Sequence, residues 1–256
     1  MPSSNVDWDI SGSVGVVTFN RPETRNALTW DMYDALVEAC DAAEAHADVR
    51  VFIIRGAGGA FASGTDIKQF RDFRSGDDGV AYEHRLDAIV ERVERMKLPT
   101  IAAVDGPAVG GGCALAIACD FRICSDRARF GVPVARTLGN CLSMANTARL
   151  IDMVGTARAR EILIGARLLD ADEAFTAGLA NAVVPTDRLE FETRALADKL
   201  STYARSTIRS TKEMMRRLRD HRRPPNADDI IRACYGSDDF RDGVKAFLDG
   251  RKALFE

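Results

Sequence analysis

Short runs of β-branched and other apolar residues recur along the chain, and most are followed by stretches whose apolar positions fall at helical spacing. Residues 14–19 (VGVVTF) and 51–54 read as strands. Between them Tyr33, Leu36, Val37 and Cys40 stand at i, i+3, i+4 and i+7, one apolar stripe of a helix, with Thr29 placed to cap its free amides. Leu86, Ile89, Val90 and Val93 repeat the stripe in a helix that ends before Pro99, because the residue preceding proline is pushed out of helical geometry. The most apolar stretch, residues 100–120 (TIAAVDGPAVGGGCALAIACD), predicts a strand, a tight glycine turn and a buried helix starting near Gly111. Strand character returns at 121–124 and 182–184. Between them lie a turn-rich loop at 130–143 and a short helix bounded by an Asp170 cap and a Gly178 stop. From Met144 the chain is mostly helical, with late helices expected over 187–219, 226–236 and 238–249. The strand-then-helix alternation up to about residue 185 predicts an α/β core. Residues 70–83 (FRDFRSGDDGVAYE) are charged, carry glycines and lack an apolar period, which predicts a mobile flap.

Composition narrows the setting. At 256 residues the chain can bury one large core, or a main domain with an appendage. No apolar run reaches the roughly 18 residues of a membrane span. The start MPSSNVDWDI has neither the basic residues nor the apolar centre of a secretory leader. Six cysteines without CxxC pairs fit a reducing, cytoplasmic setting. A net charge of −3 gives no reason to expect nucleic acid, and the arginine-rich residues 214–223 read as a solvated helix face. His46 and His221 sit in charged helical surroundings, and with no HxxxH pattern no metal site is expected.

Two glycine-rich loops follow strands. Around Gly106, Gly110, Gly111 and Gly112 the main chain is bare. A helix starting at Gly111 would aim unpaired N–H groups at an anion, or at a carbonyl oxygen gaining negative charge. The same glycines would also serve tight packing alone. The second loop is GAGGAFASGTDIK, residues 56–68. Its Gly56-x-Gly58 start suggests a dinucleotide fingerprint, but Phe61 stands where the last glycine belongs.

Five stretches, RPETRNAL, GAGGAFASGTDIK, AAVDGPAVGGGCALAIACD, ARLLDADEAFTAGLANAVVP and FRDGVKAFLDGRKALF, occur in an order and spacing that resemble the crotonase, or enoyl-CoA hydratase/isomerase, superfamily over nearly the whole chain. The resemblance implies a spiral of β-β-α units over residues 1–190 and a C-terminal helical trimerisation region over 191–256, assembling as trimers or pairs of trimers. It implies an acyl-CoA thioester as substrate, with coenzyme A arriving as part of it and no separate cofactor. Its thioester oxygen would be held by two backbone amides, by motif position those of Thr65 and Gly111. Arg25, Ala27, Ser63, Asp66, Ile67, Lys68, Gly110 and Phe247 match positions that contact the coenzyme, with Lys245 or Lys252 beside the last. Asp66 also reads as a cap on the helix after it, and Asp120 as structural.

The resemblance also exposes a departure. Two glutamates serve as acid and base in the family's hydratases, and their places are taken here by Ala114 and Val134. Polar candidates for the missing chemistry are Arg136, Asn140 and Cys141 in the loop after Val134, and His84, beside Glu83 in the expected flap. The expectation is therefore an enzyme that stabilises an enolate or oxyanion of an acyl-CoA without two-glutamate hydratase chemistry. The alternative is an acyl-CoA-binding protein with impaired catalysis, or a weak enoyl-CoA hydratase.

Overall fold

The structure, a computed structural model, describes residues 5–222, 227–253 and 255. The first four residues, the His221 side chain and Asn226, on which expectations also fell, lie outside the described residues. β1 (Val6–Ser11) and β2 (Val14–Phe19) form an antiparallel hairpin. Then follow α1 (Trp30–Ala45), β3 (Val51–Gly56), α2 (Gly76–Glu94), β4 (Thr100–Val104), β5 (Pro107–Val109) and α3 (Gly111–Ala118). β6 (Phe121–Ser125), β7 (Arg129–Gly131), α4 (Val134–Thr137), α5 (Met144–Leu163), α6 (Ala171–Thr176) and β8 (Ala182–Val184) complete the α/β part. Four helices end the chain: α7 (Leu189–Ser201), α8 (Arg205–Arg222), α9 (Asp228–Tyr235) and α10 (Asp238–Leu248). The main sheet runs β1-β2-β3-β4-β6-β8 and is parallel from β2 onward; β5 and β7 pair in a second, two-stranded sheet. Each strand-strand-helix unit, β4-β5-α3 and then β6-β7-α4, thus adds one strand to each sheet, which makes the chain a β-β-α spiral.

Because side chains alternate across a strand, β3 serves two cores. Phe52 and Ile54 point into the larger one with Met32, Leu36 and Leu115, while Val51 and Ile53 face the other side with Ile101 and Ile123. Leu189, Ala197 and Leu200 of α7 cover that second face. Each fully buried side chain of this size contributes roughly 1.5–3 kcal/mol. Asp120 accepts from the Thr100 amide (2.8 Å) and pairs with Lys212, tying α8 to the start of β4.

Four expectations are corrected. β1 was not anticipated, because its residues are mostly exposed along a sheet edge and carry no apolar run. The turn after β4 contains the short strand β5. The single helix expected over 187–219 is two, α7 and α8. Between them Ser201 and Thr202 turn their hydroxyls back onto the carbonyls of Asp198 and Lys199 and compete with the helical pattern. Most consequentially, the expected flap is mostly the first part of α2. Asp78 accepts from the Ser75 amide (2.8 Å) in a capping box, and Gly79 lies so close to α9 that an added Cβ would overlap the Tyr235 side chain. Here glycines form the contact surface, so burial leaves no apolar period.

Candidate functional site

The loop after β3 is stitched to its neighbours before it reaches Thr65. Asn26, fully buried, donates to the carbonyls of Ala57 (2.9 Å) and Ala60 (2.7 Å), and the Ala62 amide donates to Pro107 (3.0 Å). On either side of Thr65 the chain bridges to Leu28: the Leu28 amide donates to Gly64 (2.8 Å) and the Asp66 amide to Leu28 (2.9 Å). Successive peptide groups of an extended chain point to opposite sides, so the Thr65 N–H is turned away from Leu28. The second bend is fixed by the Gly110 amide, which donates to Gly131 (2.9 Å), leaving Gly111 as the first residue of α3 with its amide free of the helical ladder. Among the described residues neither the Thr65 nor the Gly111 amide has a hydrogen-bond acceptor. Gly64, at φ +107, brings the bends together: a Cβ there would lie 3.2 Å from the Val109 carbonyl and 3.9 Å from the Gly111 nitrogen.

The Thr65 side chain is 8% exposed and has a definite role. Its hydroxyl lies 2.9 Å from that of Tyr33 and 2.8 Å from that of Tyr82, so two phenols buried in α1 and α2 are satisfied by one threonine. Burial holds both phenols above their ordinary titration range. The Tyr33 hydroxyl in turn crowds Gly111, where an added Cβ would overlap it.

Thr65 and Gly111 line one cavity of about 530 Å³, together with Ala27, Ser63, Asp66, Ile67, Lys68, Gly110, Asn140 and Phe247. Its mouth is polar. Arg21 pairs with Asp66 (2.7 Å), and Asp66 caps the turn after it by accepting from the Lys68 amide (3.0 Å). Phe247, 55% exposed at the end of α10, stands beside that mouth. Arg25 is exposed and its side chain does not line the cavity. Its backbone, left-handed at φ +54, accepts from Ser63 instead, and Arg21 supplies the guanidinium. Lys245 and Lys252 likewise do not line it.

The inner end is walled by Leu86, Ala114, Val134, Leu138 and Leu142, with one carboxyl group among them, Glu83 of α2. Glu83 is 2% exposed. The Tyr235 hydroxyl donates to Oε1 (2.5 Å) and the Ser143 amide to Oε2 (2.9 Å). Burial pushes its pKa up to about 8; the Tyr235 hydrogen bond opposes the shift, and the negative charge of Asp87 adds to it. Asn140 donates from Nδ2 to the Tyr235 oxygen (2.9 Å), while its Oδ1 is buried with no hydrogen-bond partner among the described residues. An aromatic cluster packs behind this group, with Phe70 against Tyr82 (4.9 Å between ring centres) and Tyr235 against Phe240 (4.7 Å).

Three polar candidates fall outside the cavity. Arg136 lies exposed on α4. The half-buried Cys141 sits against Cys234, a contact that, with burial, raises its pKa and keeps it a thiol. His84 is 54% exposed and bonds Asp228 (2.8 Å), because α2 turns it away as it turns Glu83 inward. Glu83 is the residue missed in the sequence. Its spacing held the signal, since Val80, Glu83, Leu86 and Val90 fall on one helical stripe.

The chain is similar to known proteins over nearly its whole length. The family described as Enoyl-CoA hydratase/isomerase matches residues 9–256. A crotonyl-CoA hydratase of Syntrophomonas wolfei is 34% identical, the match covering all of this chain and 99% of the other. The crystal structure of an enoyl-CoA hydratase/carnithine racemase from Magnetospirillum magneticum is 34% identical with a TM-score of 0.81, over 99% of this chain and 96% of that one. A methylmalonyl-CoA decarboxylase in complex with 2-nitronate-propionyl-CoA superposes with a TM-score of 0.90 at 26% identity, over 99% and 98% of the two chains.

Proposed function

Since the chain belongs to the enoyl-CoA hydratase/isomerase family, we propose that it is an enzyme acting on acyl-CoA thioesters, polarising the thioester oxygen between the amides of Thr65 and Gly111. The observation that carries this reading is that two amides with no acceptor among the described residues belong to residues lining one cavity from adjacent bends. Negative charge developing on the oxygen, as enolate or tetrahedral oxyanion, is stabilised by donors already in place. In acyl chemistry each is worth roughly 3–4 kcal/mol. The cavity supports the assignment at both ends. Arg21 and Lys68 at the mouth suit phosphate groups and Phe247 offers a face to the adenine, while the inner end suits an acyl chain. Coenzyme A enters as part of the substrate. Self-association as trimers or pairs of trimers belongs to the proposal, supported by the exposed Met214, Met215 and Leu218 of α8. So does a cytoplasmic location, in keeping with the lack of a helix long and apolar enough to cross a membrane among the described residues.

Hydration of an enoyl thioester needs a base for water and an acid for Cα. Ala114 and Val134 line the acyl end and transfer no proton. Crotonyl-CoA is therefore expected to bind, and to bind more tightly than free coenzyme A by titration calorimetry. Its hydration, followed by loss of enoyl absorbance, is expected to run at least about 10²-fold below the rate of the Syntrophomonas relative. No binding would overturn the assignment to acyl-CoA. A comparable rate would overturn the exclusion of hydratase chemistry.

A further inference from the structure

We propose that Glu83 is the group that removes and returns a proton at the acyl carbon next to the thioester carbonyl, held for that task by Tyr235, Asn140 and the Ser143 amide. The inference rests on the acyl-CoA reading above and goes beyond it by assigning the proton-transfer residue and the class of reaction. Three observations lead to it. Glu83, buried on α2, lines the same cavity as Thr65 and Gly111 together with the apolar Leu86, Ala114 and Leu142, residues that suit an acyl chain held by its thioester oxygen. The other carboxyl group in the lining, Asp66, is at the mouth and engaged by Arg21. Finally, the contacts of Glu83 give its oxygens a defined state. Asn140 donates to the Tyr235 oxygen, so that phenol directs its own proton to Oε1, and Ser143 donates to Oε2. A carboxylate with one donor on each oxygen keeps a lone pair on each for a proton from the substrate.

The chemistry balances with this single group. The Cα–H bond breaks as a Glu83 oxygen takes the proton, and the bonding electron pair passes into the thioester to give an enolate whose oxygen the two amides hold. Protonated Glu83 then returns a proton either to Cα, which gives exchange, or to Cγ of a 3-enoyl chain, which gives the 2-enoyl isomer. No water is added and no second acid is required, in keeping with the apolar residues at 114 and 134. The substrate class is an acyl-CoA with a removable α-proton, among which 3-enoyl thioesters yield a net reaction. The charged and titratable groups facing Glu83 are Asp87 and Tyr82 on its own helix, Cys141 before α5, Cys234 and Tyr235 of α9, and Tyr33 of α1. Burial, with the charge of Asp87, opposes ionisation and Tyr235 favours it, so the base form is expected to appear as pH rises toward 8.

The test uses butyryl-CoA in D2O, with exchange at Cα read by mass spectrometry, and trans-3-hexenoyl-CoA, with isomerisation read by absorbance. Wild type is expected to do both, with rates rising through pH 8. Glu83→Gln is expected to lose at least about 10²-fold in both while binding butyryl-CoA within threefold of wild type. Glu83→Asp, with its carboxyl one methylene farther back, is expected to recover part of the exchange. Tyr235→Phe removes a donor to the carboxylate, so the midpoint of its rate–pH curve is expected to move upward, a change that a merely structural contact would not produce. Exchange by Glu83→Gln within threefold of wild type would overturn the proposal. Butyryl-CoA binding to wild type without exchange or isomerisation would also overturn it, while leaving the acyl-CoA reading standing. A wild type that binds no acyl-CoA would overturn both.

Discussion

Gly111→Pro is expected to abolish turnover of acyl-CoA to the level left by one donor, a loss of about 10²- to 10³-fold in kcat. Proline has no N–H, so the variant deletes the amide that the first position of α3 presents to the cavity. The helix itself should survive, because a proline at this position disturbs no helical hydrogen bond. A second effect must be separated from the first: any side chain at 111 overlaps the Tyr33 hydroxyl. Gly111→Ala supplies the control, since it adds the same Cβ and keeps the N–H. If the amide matters as argued, alanine costs substrate affinity and some stability, whereas proline costs the chemical step. Equal losses in kcat for the two variants would mean that crowding, not the donor, is what the position controls.

Glu83→Gln is expected to make the protein more stable, and increasingly so as pH rises. A glutamate raised from an ordinary 4.5 to about 8 holds in the folded state a proton that the unfolded chain has already released over the intervening range. The associated stability is fully present below about pH 4.5 and is lost by about pH 8; the whole span corresponds to roughly 5 kcal/mol. Glutamine carries no such dependence. It can still accept from the Ser143 amide and donate to the Tyr235 oxygen, whose own proton then goes to Oδ1 of Asn140 once that amide turns over. Thermal unfolding should show near-equal stabilities at pH 5 and a gap on the order of 10 °C in favour of the variant at pH 9. A gap independent of pH would show that Glu83 ionises normally in the folded protein. Stability given up by a buried acid at the cavity wall is the trade-off expected of a working group.

Legibility in the sequence followed the kind of contact involved. The strand and helix carried by VGVVTF and by Tyr33, Leu36 and Cys40 could be read because side chains made the contacts and left their period in the chain. The bends holding Thr65 and Gly111 are legible because close backbone approach demands glycine at Gly64 and Gly110, and the family motif singles out the amides of Thr65 and Gly111. The start of α2 was opaque for the opposite reason. Its closest contacts with α9 are made by Gly76 and Gly79, so hydropathy is low where burial is high and the first turns of the helix resemble a flap. A flap there points to the solvent-facing His84, whereas the helix turns its neighbour Glu83 inward. Tyr235, which completes the group, lies 152 positions along the chain from Glu83, a separation no local pattern spans. The hydroxyl of Thr65 was likewise uninterpretable until Tyr33 and Tyr82 were seen to share it.

The most direct measurement of the central claim is a crystal structure with a slowly reacting acyl-CoA bound. The thioester oxygen is predicted to lie about 2.7–3.1 Å from the main-chain nitrogens of both Thr65 and Gly111, with the acyl chain passing Glu83. A thioester oxygen bonded to neither nitrogen, with the acyl chain seated elsewhere, would contradict it.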